Sequence, residues 1–70
     1  MKIMTLIGSA IRKRRKFLGI NQRTLAELSG VGVNVVTRIE RGESNTSIKI
    51  LETVLDTLGM ELTASIKNAK

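Results

Sequence analysis

Residues 22–39 read QRTLAELSGVGVNVVTRI, and this stretch decides the fold. Its apolar residues recur at helical spacing on both sides of a short joint, which predicts two helices. The joint, residues 29–31, contains Gly30, which can take the positive φ that a tight turn requires. Ala26 is small where the two helices would approach each other closely. This spacing is typical of a helix-turn-helix, with apolar residues at its buried positions: Leu25, Val31, Val36 and Ile39.

Outward from this stretch, the same spacing predicts four helices in all. We expect them at about 5–18, from the N-cap Asn21 to 29, at 33–41, and from after Ser47 to 58. A glycine follows each of them: Gly19, Gly30, Gly42 and Gly59.

The first and last helices each carry an apolar stripe that predicts a buried face. In the first, the stripe consists of Ile7, Ile11 and Leu18. In the last, Ile50 and Val54 widen the apolar surface beyond what one core contact needs, so either a loop covers them or they meet a partner. The inner stripe of that helix is Ile48, Leu51, Leu55 and Leu58.

After Gly59 the apolar period changes from helical to alternating, which predicts a strand over 60–66. A lone strand leaves its backbone groups unpaired, and only the weak segment 1–4 offers a second strand in this chain. The simplest partner is the same segment of a second copy; the alternative is a frayed tail. The predicted homodimer interface consists of Ile50, Val54, Met60, Leu62, Ala64 and Ile66.

Length and composition indicate one small domain, 1–70, with a helical core at 5–58 and a dimerisation strand at 60–66. Such short chains usually need a disulfide, a metal or oligomerisation for stability. The chain has neither Cys nor His, so oligomerisation remains, and we expect no metal and no cofactor. Without a membrane-length apolar run or a signal-peptide pattern, we expect a cytoplasmic protein.

The net charge of +6 is unevenly distributed along the chain. Residues 1–41 carry nine Lys and Arg against two Glu, whereas residues 42–70 carry three Lys against four acids. The basic half favours a polyanion as partner. With 1% aromatic residues the chain is poorly equipped to stack single-stranded bases, so duplex DNA is the better candidate.

Helix 33–41 presents polar side chains on its outward face. Asn, Thr and Arg are residue types that read base edges in the major groove, and Val can contact a thymine methyl group. The alternative is an ordinary solvated face. The outward residues are Asn34, Thr37, Arg38 and Arg41, with Val33 at the edge.

The basic run 12–16 has several interpretations. Taken alone it fits a localisation signal, a membrane-surface patch or a solvated face. Within a helix its members spread around the axis, so that Arg12, Lys13 and Lys16 point outward and can contact phosphates. Arg14 and Arg15 flank the buried stripe and need partners.

Residues 5–58 resemble the Cro/phage-repressor, or XRE, class of helix-turn-helix proteins. The resemblance lies in residues 11–12, Arg15, 19–22, 25–26, 30–31 and 38–42. It implies an all-α, four- to five-helix lambda-repressor-like domain that carries a short C-terminal strand and binds a palindromic operator. Arg14 stands where that class usually has an apolar residue.

The resemblance also implies roles for individual residues. It implies that Gln22 clamps a phosphate and touches a base, and that Arg15 and Glu40 form an ion pair. The expected base-reading set is Gln22, Val33, Asn34, Thr37 and Arg38. The expected phosphate-contacting set is Arg12, Lys16, Asn21, Gln22, Arg41 and Asn45.

The tail Leu58–Thr63 is similar to HipB-like antitoxins, which pair a C-terminal strand across a dimer. That resemblance implies a repressor of its own operon that binds a kinase-type toxin. A stand-alone or phage-type repressor and an interaction module without DNA binding remain alternatives. An enzyme is disfavoured, since the chain lacks His, Cys, Tyr, a phosphate-binding glycine loop and a plausible carboxylate pair.

Overall fold

The computed structural model describes residues 2–43 and 45–63, and their regular structure is entirely α-helical. The four helices are α1 (Lys2–Phe17), α2 (Gln22–Ser29), α3 (Val33–Glu40) and α4 (Ile48–Thr57). The four predicted helices are therefore confirmed. The main difference is that α1 begins three residues before the predicted start at residue 5.

Side-chain caps and glycines set where the helices begin and end. The Asn21 side chain accepts a hydrogen bond from the backbone N–H of Thr24 (2.8 Å), and the Ser47 hydroxyl accepts one from Ile50 (3.2 Å). Each cap satisfies a backbone donor that the first turn of a helix leaves unpaired. Gly30 ends α2 with a φ of 72°, the left-handed conformation that the turn requires.

The helices pack around α3 and α2. α3 packs against α1 and α2, and α2 packs against α4. Because both α2 and α3 contribute buried side chains, the turn between them is fixed by the core as well as by its glycine. The core consists of Ile11, Leu25, Ala26, Val36, Ile39, Leu51, Val54, Leu55 and Leu58.

α1 approaches the end of α3 so closely that only glycine fits at residue 8. A Cβ at Gly8 would collide with the carbonyl oxygen of Ile39. A Cβ at Gly42 would lie 2.9 Å from the Cα of Thr5, which is again too close. The N-terminal half of α1 thus lies in backbone contact with the end of α3, which apolar spacing does not reveal.

Three of the expected core and interface positions are wrong. Ile48, the first residue of α4, is 63% exposed, and Leu18, just after the end of α1, is 42% exposed. Val54 is completely buried, so it belongs to the core of a single chain and is not available to a partner. Ile50 is half-buried and packs against that core.

The predicted strand is absent from residues 60–63 of the described chain. The backbone N–H of Met60 instead donates to the carbonyl of Leu55 (2.9 Å), and that of Gly59 donates to Asp56 (3.0 Å). This pair of bonds closes the end of α4 and takes the donor that a strand would use at residue 60. The predicted interface residues Ala64 and Ile66 lie outside the described residues. Within the described part of the chain, no helix combines the length and apolarity needed to cross a membrane.

The close contact at residue 8 leads to a stability prediction. We expect Gly8→Ala to lower the free energy of unfolding by about 2 kcal/mol, because the new methyl group forces α1 away from α3. Urea denaturation followed by far-UV circular dichroism measures this effect. The control is Ser9→Ala, on the exposed side of the same helix, for which we expect a change within about 0.5 kcal/mol. Equal midpoints for the two variants would contradict the close approach.

Candidate nucleic-acid interface

α3 has one face in the core and the other in solvent. Val36 and Ile39 are completely buried, whereas Asn34 and Arg38 are exposed. Val33 is half-buried and packs at the edge of the core. The opposite side of the same short helix is packed, so the exposed amide and guanidinium project from a backbone that the core holds in place.

Gln22, the first residue of α2, is hydrogen-bonded to two residues of α3. Its Oε1 accepts a bond from the Thr37 hydroxyl (2.8 Å), and its Nε2 donates to Oε1 of Glu40 (3.0 Å). These two partners determine the orientation of the Gln22 amide, with its oxygen toward Thr37 and its nitrogen toward Glu40. One N–H and one acceptor lone pair of Gln22 remain for another ligand.

Glu40 is paired in turn with Arg15 of α1. Arg15 Nε lies 2.6 Å from Glu40 Oε2 and its Nη2 lies 3.0 Å from Oε1, so the pair is bidentate. The third nitrogen of the guanidinium donates to the carbonyl of Ile20 (3.0 Å). With 10% and 4% of their side chains exposed, Arg15 and Glu40 are both largely buried, where such geometry is needed to offset desolvation.

The pKa values of the pair move in opposite directions. The hydrogen bond to Glu40 raises the pKa of Arg15, against the effect of burial. Burial alone would raise the pKa of Glu40, but the hydrogen bonds from Arg15 and Gln22 and the charges of Arg15 and Arg12 together lower it. Glu40 is therefore ionised at neutral pH and can hold both Arg15 and Gln22.

Thr37 was expected to read bases, but its hydroxyl is occupied within the protein. It donates to Gln22 and also lies 3.0 Å from the carbonyl of Val33, one turn earlier in α3. The hydroxyl proton is thus donated within the protein, and Thr37 helps to orient the side chain of Gln22. No spacing in the sequence distinguishes this use from base contact.

Arg14 has a structural role that the sequence did not reveal. Its Nε donates to the carbonyl of Leu58 (3.0 Å), and its guanidinium lies 5.4 Å from the centroid of the Phe17 ring. A cation at this carbonyl satisfies a free acceptor at the end of α4 and is favoured by the helix dipole. This contact supplies the partner that Arg14, which flanks the buried face of α1, was expected to need.

The residues expected to contact phosphates are all at the surface, but they differ in their present contacts. Arg12, Lys16 and Asn45 are exposed, and Asn21 is exposed with its side chain capping α2. Arg41 pairs with Glu43 at 3.5 Å, where the two side chains are 69% and 41% exposed. Such an open pair contributes little and leaves Arg41 free to exchange partners. In the described residues, no group of three or more potential ligands could hold a metal ion.

A comparison with protein families matches residues 11–64 to the helix-turn-helix family of the Cro/C1 type. This range contains α2, the glycine turn, α3 and the buried Arg15–Glu40 pair. The chain belongs to this family. Residues 2–10, the first half of α1, precede the matched range.

Two individual proteins named as HTH-type regulators are similar to this chain over most of its length. An uncharacterised HTH-type transcriptional regulator of Haemophilus influenzae is 38% identical over 69 residues, covering 94% of this chain and 69% of that protein. An HTH-type transcriptional regulatory protein of Pyrobaculum aerophilum is 37% identical over 60 residues, covering 86% of this chain. This chain spans only 24% of the length of the Pyrobaculum protein.

A solved structure has a similar fold. The clp gene regulator ClgR of Corynebacterium glutamicum matches with a TM-score of 0.74 and 33% sequence identity. The match covers 83% of this chain and 62% of the ClgR chain, so this chain spans less than two thirds of its length.

The lowered pKa of Glu40 leads to a pH-dependence prediction. Its contribution to stability is fully present above the ordinary glutamate value of 4.5 and is lost as pH falls through the lowered value. We expect Glu40→Gln to reduce the free energy of unfolding at pH 7 by about 2 kcal/mol. The difference from the unmodified protein should shrink as pH falls toward about 3.

Urea denaturation at pH 7, 5, 4 and 3 checks this prediction. Glu27→Gln, at an exposed position of α2, is the matched control and should change stability by no more than about 0.5 kcal/mol at pH 7. A difference for Glu40→Gln that stays constant across this pH series would show that ionisation of Glu40 is not its source.

Proposed function

We propose that this protein is a sequence-specific DNA-binding transcriptional regulator that acts as a repressor in the cytoplasm. The observation that carries the proposal is α3, whose Asn34 and Arg38 are exposed while Val36 and Ile39 on the opposite side are buried. Membership of the Cro/C1-type family supports it, as do the regulator names of the Haemophilus and Corynebacterium proteins.

In this proposal α3 enters the major groove and reads base edges. Arg38 can donate two hydrogen bonds to guanine, Asn34 can pair with adenine, and Val33 can contact a thymine methyl group. Because the backbone of α3 is fixed by its buried side, these side chains meet the bases without first ordering the helix. Blocking polymerase access at the bound site then produces repression.

Gln22 lies where α2 begins, a position suited to a phosphate. The backbone N–H groups and the dipole at a helix N-terminus favour an anion. Gln22 is already oriented by Thr37 and Glu40, and its remaining N–H supplies a further donor. The other proposed phosphate contacts are Arg12, Lys16, Asn21, Arg41 and Asn45, whose contribution weakens as salt rises.

Fluorescence anisotropy with duplex DNA from upstream of the gene tests base reading. At about 150 mM salt we expect that duplex to bind roughly a thousandfold tighter than a scrambled duplex of equal length. Arg38→Ala should remove the preference. Lys16→Ala, which removes the same charge from a proposed phosphate contact, should weaken binding of both duplexes alike and keep the preference.

Equal binding of the two duplexes by the unmodified protein would contradict a sequence-specific regulator of its own gene. No binding to either duplex at low salt would favour an interaction module that does not use DNA.

The contact between Thr37 and Gln22 gives a second, finer prediction. Thr37→Val keeps the shape of the side chain but removes the hydroxyl that orients Gln22, so we expect about tenfold weaker binding to the preferred duplex. The free energy of unfolding should fall by only about 1 kcal/mol. The control is Thr57→Val on α4, a half-buried residue whose hydroxyl likewise bonds to one side chain, Ser29, and to a carbonyl one turn earlier; its DNA affinity should be unchanged. If Thr37→Val binds DNA as tightly as the unmodified protein, the bond from Thr37 to Gln22 does not contribute to DNA binding.

We further propose that the protein binds DNA as a homodimer on a palindromic site. A groove of about 530 Å³ runs between α4 and the segment after it, where a second copy can pack. The lining residues are Lys49, Glu52, Thr53, Asp56, Met60, Glu61 and Leu62. Two recognition helices about 34 Å apart would meet successive turns of the major groove.

The spacing of the two half-sites tests the homodimer. Inserting half a helical turn of DNA between the half-sites should abolish tight binding by a dimer, whereas a protein that binds as a monomer would tolerate the insertion.

The finer proposal of an autoregulating antitoxin rests on the similarity of Leu58–Thr63 to HipB-like proteins. A stand-alone or phage-type repressor would bind DNA in the same way but would have no toxin partner. A kinase-type toxin encoded directly beside the gene, and forming a stable complex with this protein when the two are co-expressed, would support the antitoxin role.

A further inference from the structure

α1 carries an apolar stripe that the DNA-binding surface does not use. Ile3 is 60% exposed, Leu6 is 68% exposed and Phe17 is 78% exposed. Together with the exposed Ala10 and Lys13 they lie three and four residues apart, at 3, 6, 10, 13 and 17. This is the spacing at which one helix packs against another along a continuous seam.

The stripe is separate from the face of α1 that holds the fold together. Gly8, Ile11 and Arg15 face the core, and Met4 and Ile7 are half-buried against it. Three members of the stripe, Ile3, Leu6 and Ala10, precede the family match, which begins at residue 11. An exposed apolar seam on a small domain is typical of an interaction site rather than of a solvated face.

Charge indicates what can cover this seam. α1 carries Lys and Arg at six positions and no acidic residue: Lys2, Arg12, Lys13, Arg14, Arg15 and Lys16. A second copy packed in parallel would place Lys13 against Lys13, and an antiparallel copy would place Lys13 beside the apolar Leu6, since α1 has no carboxylate to pair with it. An acidic helix would instead have carboxylates beside Lys13, which is exposed and lies within the seam.

We propose that the seam at residues 3, 6, 10, 13 and 17 of α1 is a docking site for an acidic amphipathic helix of another protein. The partner helix lays apolar residues along Ile3, Leu6 and Phe17 and places carboxylates beside Lys13. α1 has 16 residues, a length of roughly 24 Å, so the contact is small and the complex is of the transient kind. The site gives a DNA-bound regulator a second surface for a protein partner, and it holds whether or not the DNA proposal does.

A designed peptide provides the probe. It has three heptads, about 21 residues, with Leu at positions a and d and Glu at e and g, so that its own charges keep it monomeric. The comparison peptide carries Lys in place of Glu. In fluorescence anisotropy with the full chain at low salt, we expect the Glu peptide to bind at least about tenfold tighter than the Lys peptide.

Variants locate the binding surface. Leu6→Glu should weaken binding of the Glu peptide at least about tenfold, since it puts a charge into the seam. Ile48→Glu, at a residue 63% exposed on α4, is the matched control and should bind the peptide normally. Circular dichroism should show both variants folded, and the affinity of each for DNA should match that of the unmodified protein. Shifts of the amide signals of residues 3–17 on adding the peptide would support the same surface.

Three results would overturn the proposal. The first is equal binding of the two peptides, and the second is unchanged binding by Leu6→Glu. The third is evidence for a different occupant of the seam. If sedimentation shows that the unmodified protein is a dimer and that Leu6→Glu dissociates it, the seam binds a second copy. Loss of binding to anionic phosphatidylglycerol vesicles in that variant, without peptide binding by the unmodified protein, assigns it to a membrane surface.

Discussion

The buried pair of Arg15 and Glu40 is the interaction on which the rest of the structure depends. It joins α1 to the last residue of α3. The remaining nitrogen of the Arg15 guanidinium donates to the carbonyl of Ile20, just before α2. Three helices thus meet at one ion pair. Because both side chains are almost fully removed from water, neither can be left without the other, and the pair fixes how α1 lies across α3.

The pair also shapes the surface that faces outward. Glu40 holds the amide of Gln22, and Gln22 holds the hydroxyl of Thr37, so a chain of hydrogen bonds runs from the core to the solvent. The polar groups of such a chain orient one another in a low-dielectric setting. The outward surface where α2 meets α3 is therefore an extension of the interior, and internal hydrogen bonds set the position of Gln22.

Much of this fold follows from local signals in the sequence. Asn21, Ser47 and Gly30 mark helix ends by their own chemistry, and the apolar spacing of Leu25, Val36 and Ile39 identifies the faces that the core buries. These features depend on residues within a turn or two of each other, which is why a single sequence reveals them.

What the sequence did not reveal depends on contacts between distant residues. The close approach at Gly8 and the capping of α4 by Arg14 join residues far apart in the chain. Periodicity also placed Val54 on a partner surface, although the core takes it, and it predicted a strand where Met60 closes the end of α4. In the candidate site, the sequence located α3 and its exposed residues, but it did not show that Thr37 acts on Gln22.

That last contact has a consequence for how such a protein can change. The amide of Gln22 and the hydroxyl of Thr37 share one hydrogen bond, so neither position contributes to the surface independently. A substitution at residue 22 that is harmless beside threonine can leave an unsatisfied group beside another residue, and the reverse holds equally. We therefore expect the two positions to be epistatic. Under the proposed function, new binding preferences on this scaffold are reached most easily by exchanging residues 22 and 37 as a pair, while Asn34 and Arg38, which are exposed, can vary singly.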